Sequence, residues 1–160
     1  MAKVIAVAEF EDKEVRAFLK NLYKKLSEIK DGKKKYVGLL SAIVFKDINL
    51  HFQQEMGSEG RWKDWSPTYQ EHMESIGRSG NQILQFSGKL RQGFKPEKVK
   101  TSKNAIMWFN DEKTKDGFPY AYAHDTGGPQ LPKRDFMWLS DQAMNEISEQ
   151  TLQFMIDEGV

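Results

Sequence analysis

The 160-residue sequence contains no cysteine, so disulfide bonds and thiolate metal sites are excluded and secretion gains no support. Its three histidines, His51, His72 and His124, are scattered and never fall in a His-Glu-x-x-His or related ligand spacing. No apolar run approaches the roughly 18 residues needed to cross a bilayer. The first ten residues lack a basic start and a long apolar stretch, so no signal peptide is expected and a soluble, cytoplasmic product is. Nor is there an excess of one charge: the formal net charge is +1, too little to draw the whole molecule to nucleic acid or membrane. What remains is 39% hydrophobic and 29% charged residues, enough for one domain spanning 1–160 with a real core.

Charge is nevertheless segregated along the chain. Between Lys13 and Lys35 nine Lys/Arg face three Asp/Glu, and between Lys89 and Lys103 six face one. From Asp141 to Glu158 there are five acids and no base. Solvated helix faces account for any single run. Together, the runs give one molecule both basic and acidic surfaces, the arrangement that would register identical neighbours head to tail.

Hydrophobic spacing predicts the elements. Lys3 to Phe10 reads as a strand, with Asp12 as a cap for the segment that follows. Val15, Phe18, Leu19, Leu22, Leu26 and Ile29 recur at helical spacing until Asp31-Gly32 ends the pattern. A second helix is expected from about Tyr36 to Met56, on the stripe Val37, Leu40, Val44, Ile48 and Phe52, widened by Leu39 and Ile43. Ser66-Pro67 has the form of an N-cap followed by proline at the first helical position, opening a short helix. Gly77 to Asn81 is turn material. Ile83 to Phe94 is ambiguous, a helical turn at most. Val99–Thr101 and Ala105–Phe109 would pair as a hairpin across 102–104. Pro119 to Ala123 reads as a third strand, and Ser140 as the cap of a C-terminal helix with Met144, Ile147, Phe154 and Met155 inward. The expected fold class is α+β: a small, mainly antiparallel sheet packed with long N-terminal, central and C-terminal helices.

Residue patterns for catalytic chemistry are sparse. Ser87-Gly88-Lys89 resembles the end of a phosphate loop, but Ile83 stands where that loop needs glycine and Leu90 where it needs a hydroxyl. There is no Gly-x-Ser-x-Gly. His124-Asp125 is the nearest thing to a catalytic pair, yet neighbours on a strand point to opposite faces. Asp111, Glu112, Asp116 and Asp125 cluster near one loop without the spacing of a magnesium nuclease. No catalytic residue, cofactor or metal ligand is assigned. Trp62 and Trp65, three apart in a glycine-edged loop, would share a face if that loop made a helical turn. They read equally as core plugs and as interface anchors.

Four blocks in order carry a further signal: Gly60-x-Trp62 with Trp65-x-Pro67; Ile83-Leu84 with Ser87-Gly88-x-Leu90; Tyr120-Ala121 with His124 and Gly127-Gly128; and Pro132-x-Arg134-Asp135-Phe136. In this order, from about Tyr36 onward, they resemble the bacteriophage virion morphogenesis proteins, the tail-completion family typified by the G protein of phage Mu. Threonine is more usual in that family where Ser87 stands. The resemblance implies a virion structural protein, not an enzyme. It would act at the head-proximal end of the tail, completing or terminating the tail and joining it to the capsid connector. It implies a homo-oligomeric ring, six copies being expected, with tail-tube and head-connector proteins as neighbours and genomic DNA passing through the channel. The expected place is the virion, at the head–tail junction, after synthesis in the bacterial cytoplasm; no membrane is involved.

Assembly residues implied by the resemblance are Trp62, Trp65, Pro67, Ser87, Gly88, Leu90, Tyr120, His124, Gly127, Gly128, Pro132, Arg134 and Phe136. In the closing block Pro132 would fix the chain direction and Phe136 and Trp138 anchor it. Arg134 would meet a carboxylate, one of those of the acidic C-terminal helix among the choices. The rival reading is a nucleic-acid-binding or metal-dependent nucleic-acid-processing protein, using the basic 89–103 segment, the loop carboxylates and interleaved aromatics. A part of a phage-like particle such as a contractile bacteriocin would carry the same residues.

Overall fold

The computed structural model describes residues 4–6, 13–28, 31–80, 82–102 and 105–159. In chain order these form β1 (Val4–Ala6), α1 (Lys13–Glu28), α2 (Gly32–Gln54), β2 (Met56–Gly57), β3 (Gly60–Arg61), α3 (Pro67–Ser75), α4 (Lys89–Gln92), a 3-10 turn (Pro96–Lys98), β4 (Lys100–Thr101), β5 (Ile106–Asn110), α5 (Tyr120–Thr126) and α6 (Asp141–Asp157). The class is α+β, as the hydrophobic periods predict. A three-stranded sheet has the order β1-β5-β4, with β4 and β5 antiparallel in the register Lys100↔Met107 and Thr101↔Ile106. A second, two-stranded ribbon pairs Met56 with Arg61 and Gly57 with Gly60. Of the expected features, the ends of the first strand, the Asp12 cap, Ile29, Asn81 and the hairpin tip at 103–104 lie outside the described residues, as do the side chains of Val15, Phe18, Leu19 and Leu26.

The chain divides into two compact units. One is built chiefly from Ile48–Phe94 and Asn110–Trp138, the other from α1, α2 up to Asp47, Lys95–Phe109 and α6.

In the second unit α2 begins four residues before the expected Tyr36, directly after Asp31, which takes a left-handed conformation at φ 60°. Its buried stripe is Tyr36, Leu40, Ile43 and Val44, with Leu22 of α1 and Ala143 of α6 also buried. Val37 and Leu39 are only half-buried. The sequence pattern did not expect the polar groups in this layer. Ser41 accepts the indole N–H of Trp108 at 2.9 Å and donates to the carbonyl of Val37 at 2.6 Å. The Tyr36 hydroxyl lies 3.0 Å from Thr151 Oγ1, and burial raises its pKa above the usual phenol value. Ser140 caps α6 as predicted, accepting the N–H of Ala143 at 3.1 Å. Met144, Ile147, Phe154 and Met155 are half-buried, not fully inward.

The first unit closes around Phe52 and Phe136, both fully buried, with ring centroids 5.1 Å apart. Trp62 sets its edge on Phe52 at 5.5 Å and Phe94 meets Phe136 at 6.0 Å, the tilted and edge-on geometries that aromatic quadrupoles favour. Met73 of α3 and Ala121 of α5 are also buried in this unit, as are Ile48, Ile83 and Leu90. One expected strand is a helix. The Tyr-Ala-Tyr-Ala alternation at 120–123 has the period of a strand, but α5 runs from Tyr120 to Thr126. Alanine is the best helix former, and a helical turn buries Ala121 while leaving Tyr122 exposed. His124-Asp125 is therefore a helical pair, not a strand pair.

Candidate functional site

The first unit holds an open cleft of about 980 Å3. One wall starts at the loop that leaves β3. The indole of Trp62 turns into the core and donates from Nε1 to the carbonyl of Asp135 at 2.9 Å, so the loop is pinned where it begins. Beyond it the chain is irregular as far as Ser66, whose hydroxyl accepts the N–H of Tyr69 at 3.4 Å, and Pro67 opens α3 at its first turn, as predicted. Since the loop makes no helical turn, the two tryptophans part. Trp62 is core, whereas Trp65 lines the cleft and packs edge-on against Tyr69 at 5.5 Å.

Arg134 lies beneath that loop. It is 6% exposed, and its guanidinium donates from Nε to the carbonyl of Lys63 at 2.9 Å and from Nη2 to that of Asp64 at 3.1 Å. The expected carboxylate partner is replaced by two main-chain carbonyls, because the loop curls over the planar fork and presents its oxygens in the right directions. Burial lowers the pKa of this arginine, with Tyr69, Asp64 and Glu55 pulling it back up; an arginine this far from its titration range stays charged at neutral pH.

The opposite wall is α5 and the segment after it. The backbone N–H of Arg134 donates to the carbonyl of His124 at 2.8 Å. One oxygen of Asp125 accepts the N–H groups of Phe136 at 2.9 Å and Met137 at 3.0 Å. Burial raises the pKa of Asp125, and those two amide hydrogen bonds act against the rise. Between α5 and Pro132 the chain turns at Gly127, where φ is 73° and an added Cβ would stand 2.8 Å from the backbone nitrogen of Lys133. Only glycine fits there. His124 lines the cleft with a buried Nδ1 that has no hydrogen-bond partner among the described residues. Burial, and then the charge of Arg134, lower its pKa and keep the ring neutral. Tyr120, one turn earlier, donates to Glu112 at 3.3 Å, and its pKa is raised by burial and by that carboxylate.

Comparison with known protein families, curated proteins and solved structures finds no match for this chain.

The cleft gathers residues from all four sequence blocks: Trp65 and Pro67, Ser87 and Leu90, Tyr120 and His124, and Pro132 and Arg134. The other five play different parts. Trp62 and Phe136 are buried in the core. Gly88 adopts φ 71° before the first turn of α4. Gly127 makes the turn described above, and Gly128 is paired with Leu131 by an isolated bridge. Several cleft residues had no sequence signal, among them Tyr69, Phe86 and Lys63. Tyr69 and Phe86 are 42% and 48% exposed, and Phe86 lies against the guanidinium of Arg78 at 4.5 Å. Lys63 stands exposed on the rim. An aromatic of this kind on a short polar helix or in a turn has no period to betray it.

The rival chemistry gains no cluster. Among the described residues no three His, Cys, Asp or Glu are grouped to hold a metal ion. One oxygen of Asp125 is committed to backbone amides, and Asp111 and Asp116 are exposed. No described helix is long and apolar enough to cross a membrane. Chemically, the cleft combines aromatic walls, a fixed arginine at its floor, a rim lysine and a neutral imidazole. That set suits an apolar segment bearing a carboxylate.

Proposed function

We propose that this chain is a virion structural protein of the tail-completion type. It would act at the head-proximal end of a phage tail as a ring that terminates the tail and joins it to the capsid connector. The observation that carries the reading is convergence. Four sequence blocks that resemble that family, spread from Gly60 to Phe136, lie in a single compact unit, and each contributes side chains to one cleft. A protein whose role is assembly needs such a receptor surface and no reacting group.

Electron microscopy of lysates from a phage carrying a nonsense codon in this gene tests the reading. Filled heads beside unattached tails are expected, and overlong tails would narrow the role to termination. Normal, infectious particles would overturn it.

A further inference from the structure

The C-terminal helix carries a surface that answers the cleft. Leu152 and Ile156, spaced i and i+4 on α6, are 61% and 65% exposed. Glu149 and Gln153 are exposed beside them, so positions 149, 152, 153 and 156 form one stripe. Glu149 makes no ion pair with any described residue. Between Asp141 and Glu158 there is no basic side chain. This stripe is therefore apolar and acidic at once. The cleft is its counterpart, with Trp65, Tyr69 and Phe86 for the aliphatic side chains and Lys63 and Arg134 for the carboxylate.

We propose that the cleft of one copy receives α6 of a second copy, with Leu152 and Ile156 against the aromatic wall and Glu149 directed to Lys63 and Arg134. This names the partner of the cleft and rests on the assembly reading for its expectation that copies associate. The contact joins two different surfaces, so where it is not reciprocated between two copies it is heterologous and can repeat from copy to copy until a ring closes. An amphipathic helix laid in an apolar groove, read by anchors at i and i+4, is a recurrent recognition mode. Nucleic acid fits the cleft less well. Two cations offset by Asp64 are too few to track a phosphate backbone.

The geometry predicts a mixing behaviour that neither a helix-on-helix nor a cleft-on-cleft interface shows. Leu152→Asp with Ile156→Asp spoils the helix face and leaves the cleft, while Tyr69→Asp with Phe86→Asp spoils the cleft and leaves the helix. All four positions are exposed, so both full-length variants should retain the wild-type circular dichroism spectrum. In sedimentation velocity the wild type should assemble and each variant alone should be monomeric. An equimolar mixture should stop at a heterodimer, since only one good cleft and one good helix meet. Assembly of either variant like wild type, or a mixture that stays monomeric, overturns the proposal. So does wild-type protein that remains monomeric at about 1 mM, where even a millimolar dissociation constant would leave much of it associated. Wild-type-like assembly of the variants, together with failed head–tail joining in the nonsense phage, would reject this interface and leave the assembly role standing. The expected mixing pattern from a gene whose loss leaves phage intact would do the reverse.

Discussion

Asp47 and Ser140, 93 positions apart, are joined by two hydrogen bonds: Ser140 donates its N–H to Oδ2 at 2.9 Å and its hydroxyl to Oδ1 at 2.6 Å. The same hydroxyl accepts the N–H of Ala143, so one serine both caps α6 and fastens it to a buried carboxylate of α2. Losing a cap alone costs about 1–2 kcal/mol. Ser140→Ala should lower stability by about 2 kcal/mol or more, because Asp47 loses a donor in a buried place. In a double-mutant cycle measured by urea unfolding, Ser140→Ala and Asp47→Ala should be non-additive by about 1 kcal/mol. Additive effects would mean that the pair does not act as a unit.

Arg134 offers a second test, because its partners are carbonyls arranged for a planar fork. Lysine keeps the charge but cannot bond both oxygens in that geometry. Arg134→Lys should cost about 2 kcal/mol, the range for hydrogen bonds made by a charged donor. It should also loosen the loop beyond Trp62, seen as faster amide exchange at residues 64–66 and a red shift in tryptophan emission from Trp65. Unchanged exchange would show that the loop is held by Trp62 alone.

The two neighbouring glycines should behave differently. Gly127→Ala places a methyl group against the backbone of Lys133 at a positive φ and should destabilise by about 2 kcal/mol or more. At Gly128 an added Cβ meets nothing within 4 Å, and alanine should stay within about 0.5 kcal/mol of wild type. Thermal melts of the two variants read the contrast directly.

His124 makes stability fall in mild acid. Its folded pKa lies below the ordinary 6.5, so the unfolded chain takes up a proton first. The full contribution is present above pH 6.5 and is lost as pH falls through the folded value. His124→Gln removes that term. The stability difference between wild type and variant should change steadily from pH 7 to pH 5, at the expense of wild type. A difference that is flat with pH would contradict the burial of the ring beside Arg134.

The sequence announced the parts whose physics is local. Periodic apolar residues marked α1, α2 and α6, and serine caps at 66 and 140 marked where two helices start, because a cap needs only its next three residues. The α5 segment departs from its strand-like pattern because alternating tyrosine and alanine satisfies a strand's period, while the choice between strand and helix is made by where Ala121 is buried. The cleft was half legible: its four blocks were visible, but their meeting was not. Trp62 and Trp65 look alike in a loop, and only the closing of Asp135 onto one indole separates them. The partner of Arg134 was invisible in principle, since every residue carries a carbonyl and no side chain advertises which one will be used.

That choice of partners has a consequence for how the molecule can change over time. The wall of the cleft is held by Arg134 on the carbonyls of Lys63 and Asp64, and by Trp62 on the carbonyl of Asp135. Main-chain oxygens survive any substitution. The side chains at 63 and 64 are thus free to be replaced while the bend beneath them stays, and descendants of this chain can acquire new partners by editing the rim and leaving the frame alone.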